Sequence, residues 1–115
     1  MDKRKLNRVF EKIKKEAKLD YAVTSPDIYG DCNTCVNCEL SDEFGKDSTG
    51  IYAKHWTRGM NAGGPWKDVK DVYVGHDITE EQGVTVIRIF KESGYNICPE
   101  VYDSKMSFRI SEKEN

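Results

Sequence analysis

Thr79-Glu80-Glu81-Gln82-Gly83-Val84-Thr85-Val86-Ile87-Arg88-Ile89-Phe90-Lys91-Glu92-Ser93-Gly94 can be read in two ways, and the architecture turns on which is right. Its centre, Val84 to Phe90, is β-branched enough to form a strand. Its ends argue for a helix. Thr79 followed three residues later by Gln82 is a capping-box pattern, Glu80 and Glu81 suit the positive end of a helix dipole, and Ser93-Gly94 supplies a stop. The helix reading predicts a buried stripe of Gly83, Val86, Ile87 and Phe90.

With a helix here, the flanking segments become strands. Tyr95 to Tyr102 and Met106 to Ser111 read as a hairpin turned at Asp103-Ser104-Lys105, with Tyr95, Ile97 and Val101 facing inward and Met106, Phe108 and Ile110 matching them. Upstream, Ile51 to Trp56 and Asp71 to Ile78 read as two more strands, and Val72, Val74, His76 and Ile78 share one face. Tyr21-Ala22-Val23 is a short strand candidate. From Lys3 to Lys18, the residues Leu6, Val9, Phe10, Ile13 and Ala17 recur at the spacing of one helical face, with charged residues filling the rest. The order predicts a single α+β domain over 1–115, a two-layer sandwich with a mainly antiparallel four- to five-stranded sheet and two helices on one face.

Composition bounds the function. The chain has 115 residues, 33% of them charged, and Leu, Ile, Val and Phe make up only 24. That core is barely sufficient to offset chain entropy. A net charge of -2 provides no overall field to drive the chain onto nucleic acid or an anionic membrane. Met1-Asp2-Lys3-Arg4-Lys5-Leu6 opens a polar helix, and no apolar run approaches a signal or membrane span, which predicts a cytoplasmic protein. The basic face of the first helix reads as a solvated surface.

Four cysteines in a reducing compartment point to metal, redox chemistry or buried thiols before structural disulfides. Three of them, Cys32, Cys35 and Cys38, fall in the Pro-, Gly- and Asn-rich stretch after Tyr21-Ala22-Val23. A loop of that length in a small domain calls for something to fix it. The repeated two-residue spacing lets neighbouring thiols converge on one zinc ion, with a fourth ligand drawn from His55, Cys98, His76, Asp31 or Glu39. The same spacing occurs in iron-sulfur ligand runs, and Cys98-Pro99 echoes the remote Cys-Pro that completes some of them. Cys32-x-x-Cys35 and Cys35-x-x-Cys38 also have the spacing of a redox dithiol, although the acidic neighbours oppose thiolate formation. Four ordinary thiols are the remaining reading.

The first helix, the Cys32-Asn33-Thr34-Cys35 knuckle, the strands Ile51 to Trp56 and Asp71 to Asp77, a helix ending in Ser93-Gly94-Tyr95 and a final Phe108-Arg109-Ile110 together resemble a family of small bacterial proteins catalogued as a domain of unknown function. Members of that family often carry a cysteine pair in the matching loop; this chain adds Cys38. The resemblance implies the fold but carries over no activity.

Two other features invite a functional reading. His76 precedes Asp77 and His55 ends a neighbouring strand, a pairing that acid-base chemistry would use, yet no nucleophile is placed beside them. The loop Gly59 to Trp66 lacks the Gly-Lys-Ser/Thr ending of a phosphate loop. Trp56, Met60 and Trp66 around it suit a surface for a protein partner, because Trp and Met are enriched at interface cores; the alternative is that the tryptophans close one end of the core. The sequence therefore predicts a small interaction or regulatory protein without enzymatic activity, its cysteine loop a zinc site, with an iron-sulfur or thiol redox protein as the alternative.

Overall fold

The computed structural model describes residues 1–24, 43–54, 70–102 and 105–113. The first helix, α1 (Lys3–Glu16), starts at Asp2, whose carboxylate accepts hydrogen bonds from the backbone N–H groups of Arg4 and Lys5. Leu6, Val9, Phe10 and Ile13 are buried, as their spacing requires. The helix ends in a tight reversal. Lys18 takes a left-handed φ of 55°, and the Leu19 N–H returns to the Lys14 carbonyl at 3.0 Å. This is the six-to-one bond of a Schellman cap, with lysine where glycine is usual.

Five strands follow: β1 (Tyr21–Val23), β2 (Gly50–Lys54), β3 (Asp71–Asp77), β4 (Tyr95–Tyr102) and β5 (Lys105–Glu112). They form one open sheet in the order β1-β2-β3-β5-β4. β1 pairs parallel with β2, and every other pairing is antiparallel. The α+β architecture is therefore the expected one, with five strands, the upper end of the expected four to five. Asp20 fixes the β1–β2 register, because its carboxylate accepts from the Thr49 N–H at 2.8 Å while its own N–H donates to the Thr49 carbonyl at 2.8 Å.

The ambiguous segment is a helix, α2 (Glu80–Glu92). The capping box is fully formed: Gln82 N–H donates to Thr79 Oγ1 at 3.2 Å, and Thr79 N–H donates to Gln82 Oε1 at 2.9 Å. Gln82 also donates from Nε2 to the Ala17 carbonyl at 3.3 Å, tying the start of α2 to the end of α1. The buried stripe differs in part from expectation. Val86, Ile89 and Phe90 are fully buried, while Gly83 and Ile87 are only half-buried. The helix is turned toward Ile89 because a buried isoleucine removes far more apolar surface from water than a glycine. Since β5 lies between β3 and β4 and is antiparallel to both, α2 is the crossover of a split parallel β-α-β unit.

Both helices cover the sheet face that carries Ile51, Val72, Val74, Phe108 and Ile110. An aromatic chain links the layers: Phe10 meets Phe90 edge-on at 5.9 Å, and Phe90 meets Tyr95 at 6.0 Å. The Cα radius of gyration is 13.3 Å, close to the ~13 Å expected of a folded domain of this length. No helix among the described residues is long and apolar enough to cross a membrane.

Candidate functional site

Strand polarity determines which residues share an end of the sheet. β1 and β2 run parallel, so the chain leaves both at the same end, after Val23 and after Lys54. The segment after β1 carries Cys32, Cys35 and Cys38; the one after β2 carries His55, Trp56, Met60 and Trp66. These seven residues lie outside the described residues. Lys54 is in register with Tyr73, Tyr73 with Arg109, and Arg109 with Cys98. Cys98 thus stands level with the last residue of β2, on the sheet face away from the helices, and its side chain is exposed. Alternation from the inward-facing Tyr95 and Ile97 predicts the same face. Among the described residues there is no cluster of three or more His, Cys, Asp or Glu side chains able to hold a metal ion.

His76 occupies a different position. It is in register with Ile51, three residues farther from that end, on the face shared with Val72 and Val74. Its ring stacks on Phe108 with centroids 4.7 Å apart, and its buried Nε2 has no hydrogen-bond partner among the described residues. Burial pushes its pKa below the ordinary histidine value, opposed by the nearby charge of Asp77. Asp77 itself is exposed, and alternation puts it on the other face of β3. The two side chains do not form the hydrogen-bonded dyad that acid-base catalysis requires.

The outer sheet face carries a feature that the sequence reading missed. Tyr21 and Tyr52 are each only 3% exposed and form a second apolar cluster with Val23 packed against it. Each lies directly across from a glycine, Tyr21 from Gly50 and Tyr52 from Gly75. A Cβ at either glycine would overlap the facing tyrosine, so the missing side chain is what lets the ring lie flat on the sheet. Phe44 stacks on Tyr21 at 5.2 Å. Both phenols are pushed up to about 12, first by burial and then by the negative charge of Asp77. The available signal was the placement of Gly50 and Gly75 in strands, where glycine marks close approach. Tyr73, farther along the same face, is 37% exposed.

One further polar atom stands out. Tyr95 is fully buried, and its hydroxyl has no hydrogen-bond partner among the described residues. Its ring lies under the Lys5 ammonium, 4.8 Å from the centroid, an arrangement that attracts the cation to the ring face. Compared with known protein families, curated proteins and solved structures, the chain matches none.

Proposed function

We propose that the protein is a small cytoplasmic interaction or regulatory module without enzymatic activity, in which a structural zinc ion fixes the Cys32-Cys35-Cys38 loop. The observation that carries this reading is the shared exit of β1 and β2 at the end of the sheet where Cys98 is level with Lys54. Three thiolates at two-residue spacing need one more ligand to close a tetrahedral site, and Cys98 and His55 are the two candidates associated with that end. Eight residues, and so nine Cα–Cα steps, separate Val23 from Cys32. Extended, they reach about 30 Å, more than the ~19 Å of four strand spacings between β1 and β4. His76 is the weaker ligand candidate, being on the helix-covered face and farther from that end.

Zinc would supply folding free energy and order to the loop, with no catalytic role. The aromatic residues Trp56, Met60 and Trp66 follow β2 directly, so a loop ordered at that end would support a protein-binding surface there. Separation of His76 from Asp77 supports the non-enzymatic reading, since it removes the one acid-base pair suggested by the described strands.

Metal analysis of protein purified without oxygen from unsupplemented medium tests the proposal. Expected are stoichiometric zinc, no visible absorption, and a parallel loss of metal and melting temperature when Cys32, Cys35 or Cys38 is changed to Ser. A brown protein would establish the iron-sulfur alternative. A metal-free protein whose triple serine variant melts unchanged would overturn both. For the partner surface, Trp66→Ala should abolish co-purification of the native partner while leaving melting cooperative; a large drop in melting temperature would return Trp66 to the core.

A further inference from the structure

Charge is distributed very unevenly along this chain. Residues 1–18 carry eight Lys or Arg against three Asp or Glu, whereas the other 97 residues carry ten against seventeen. The near-neutral total conceals a strongly basic α1 on an acidic remainder. Arg4, Arg8, Lys12 and Lys15 are all exposed. At 100° per residue they fall in one band opposite Leu6, Phe10 and Ile13, spanning about 17 Å along the axis.

The band is kept at a cost to the helix. Arg4 with Arg8 and Arg8 with Lys12 are like charges four residues apart, which destabilises a helix. The first turn itself holds no acidic residue, so the dipole is met there by the N-cap carboxylate of Asp2 alone. Glu16 serves Lys12 at 4.0 Å and Arg88 at 3.5 Å. Arg4, Arg8 and Lys15 make no ion pair with a described residue. Glu11 and Glu16, both exposed, border the band on its two sides, and within it all four residues are basic.

We propose that this face of α1 docks an acidic peptide segment of a partner protein. This rests on the interaction reading above but assigns it a second surface and names the partner's chemistry. A membrane fits poorly, because every large apolar residue of α1 is buried in the core and none remains to enter a bilayer. An extended nucleic acid fits poorly as well: the band offers no aromatic ring for base stacking, and the acidic remainder repels a polyanion longer than the helix. A short row of carboxylates matches both the length and the sign of the band, and paired guanidinium groups bind carboxylates in bidentate geometry.

The test is titration of the full chain with a fluorescein-labelled oligoglutamate peptide at low salt. In parallel, the chain is titrated with an oligothymidylate of equal charge and with phosphatidylserine vesicles. Expected is saturable, salt-sensitive peptide binding that weakens about tenfold or more in Arg4→Glu/Arg8→Glu/Lys15→Glu. Lys70→Glu/Lys91→Glu/Lys113→Glu changes the net charge equally, away from the band, and should retain most of the binding. Should the reversed helix fail to fold, the corresponding glutamine variant gives the same reading. Absence of peptide binding, equal loss in both triple variants, or preference for the oligonucleotide or vesicles would overturn the proposal. Zinc content measured on the same samples keeps the two readings apart, since peptide binding without zinc leaves the α1 docking face standing and zinc without peptide binding overturns it alone.

Discussion

Replacing Gly75 with alanine puts a methyl group where the Tyr52 ring lies. The clash involves ring carbons and the phenolic oxygen, and Tyr52 is only 3% exposed, so the ring cannot swing aside without opening the outer cluster it shares with Tyr21. Overpacking of this kind costs about 1–3 kcal/mol. For 115 residues the unfolding entropy is roughly 0.24 kcal/mol/K, so each kcal/mol lowers the melting temperature by about 4 °C. The fall should be about 4–12 °C by calorimetry. The argument gains force in a double-mutant cycle. With Tyr52→Val in place the ring is gone, and Gly75→Ala should become neutral or stabilise by up to about 1 kcal/mol, because alanine loses less backbone freedom than glycine on folding. If Gly75→Ala destabilises equally in both backgrounds, the glycine is required for some other reason and the ring-on-glycine account fails.

The same geometry makes other outcomes specific. Lys18→Gly should raise stability by about 1 kcal/mol, since a left-handed residue costs roughly 1–2 kcal/mol unless it is glycine; an unchanged or lowered melting point would show that Lys18 makes compensating contacts. His76 has a depressed pKa in the fold, so below its ordinary value of 6.5 the unfolded chain takes up the proton first and stability falls as pH drops. His76→Phe should flatten that part of a melting series run from neutral to mildly acidic pH, and an undiminished slope would assign it to other groups. Tyr21, Tyr52 and Tyr95 have pKa values raised from 10.0 to about 12, so between those values the unfolded chain ionises first and stability falls as pH rises. In a variant with Tyr29, Tyr73 and Tyr102 changed to Phe, phenolate absorbance should therefore appear together with unfolding in that window, and an early, gradual rise at full native structure would contradict the burial of the three remaining rings.

The two helices were readable from different signals. In α1 the apolar spacing sufficed, and all five residues of the expected stripe are buried; the cap at Asp2 emerged only in the structure. In α2 the β-branched centre favoured a strand, but Thr79 and Gln82 specify a helical start that an extended chain cannot satisfy. The face of α2 was harder to fix. Two stripes one step apart, one through Gly83 and Ile87 and one through Ile89, have the same periodicity, and only the sheet and α1 select between them. The pairing of the short β1 with β2 was hidden for a similar reason, because Asp20 and Thr49 make that contact across 29 positions of sequence.

The candidate site was legible as chemistry before it was legible as place. Spacing alone singles out Cys32, Cys35 and Cys38 as a group, since convergence on one ion is a local property. Nothing local tells which distant residue completes the set. For the proposed site, strand order only narrows the choice: the parallel β1–β2 pair sends the chain out of both strands at one end, and the register through Tyr73 and Arg109 sets Cys98 level with that exit while leaving His76 lower down on the helix-covered face. The basic band of α1 shows the converse. Each lysine or arginine looks ordinary in sequence, and its weight emerges only when the core-facing stripe fixes the helix orientation and leaves the like charges together on the exposed side. A chain with so small a core gains little by keeping mutually repelling charges on the helix that supplies much of that core. Relief of that repulsion by an acidic partner would stabilise the fold and the complex together, so added oligoglutamate peptide should raise the melting temperature in proportion to its affinity.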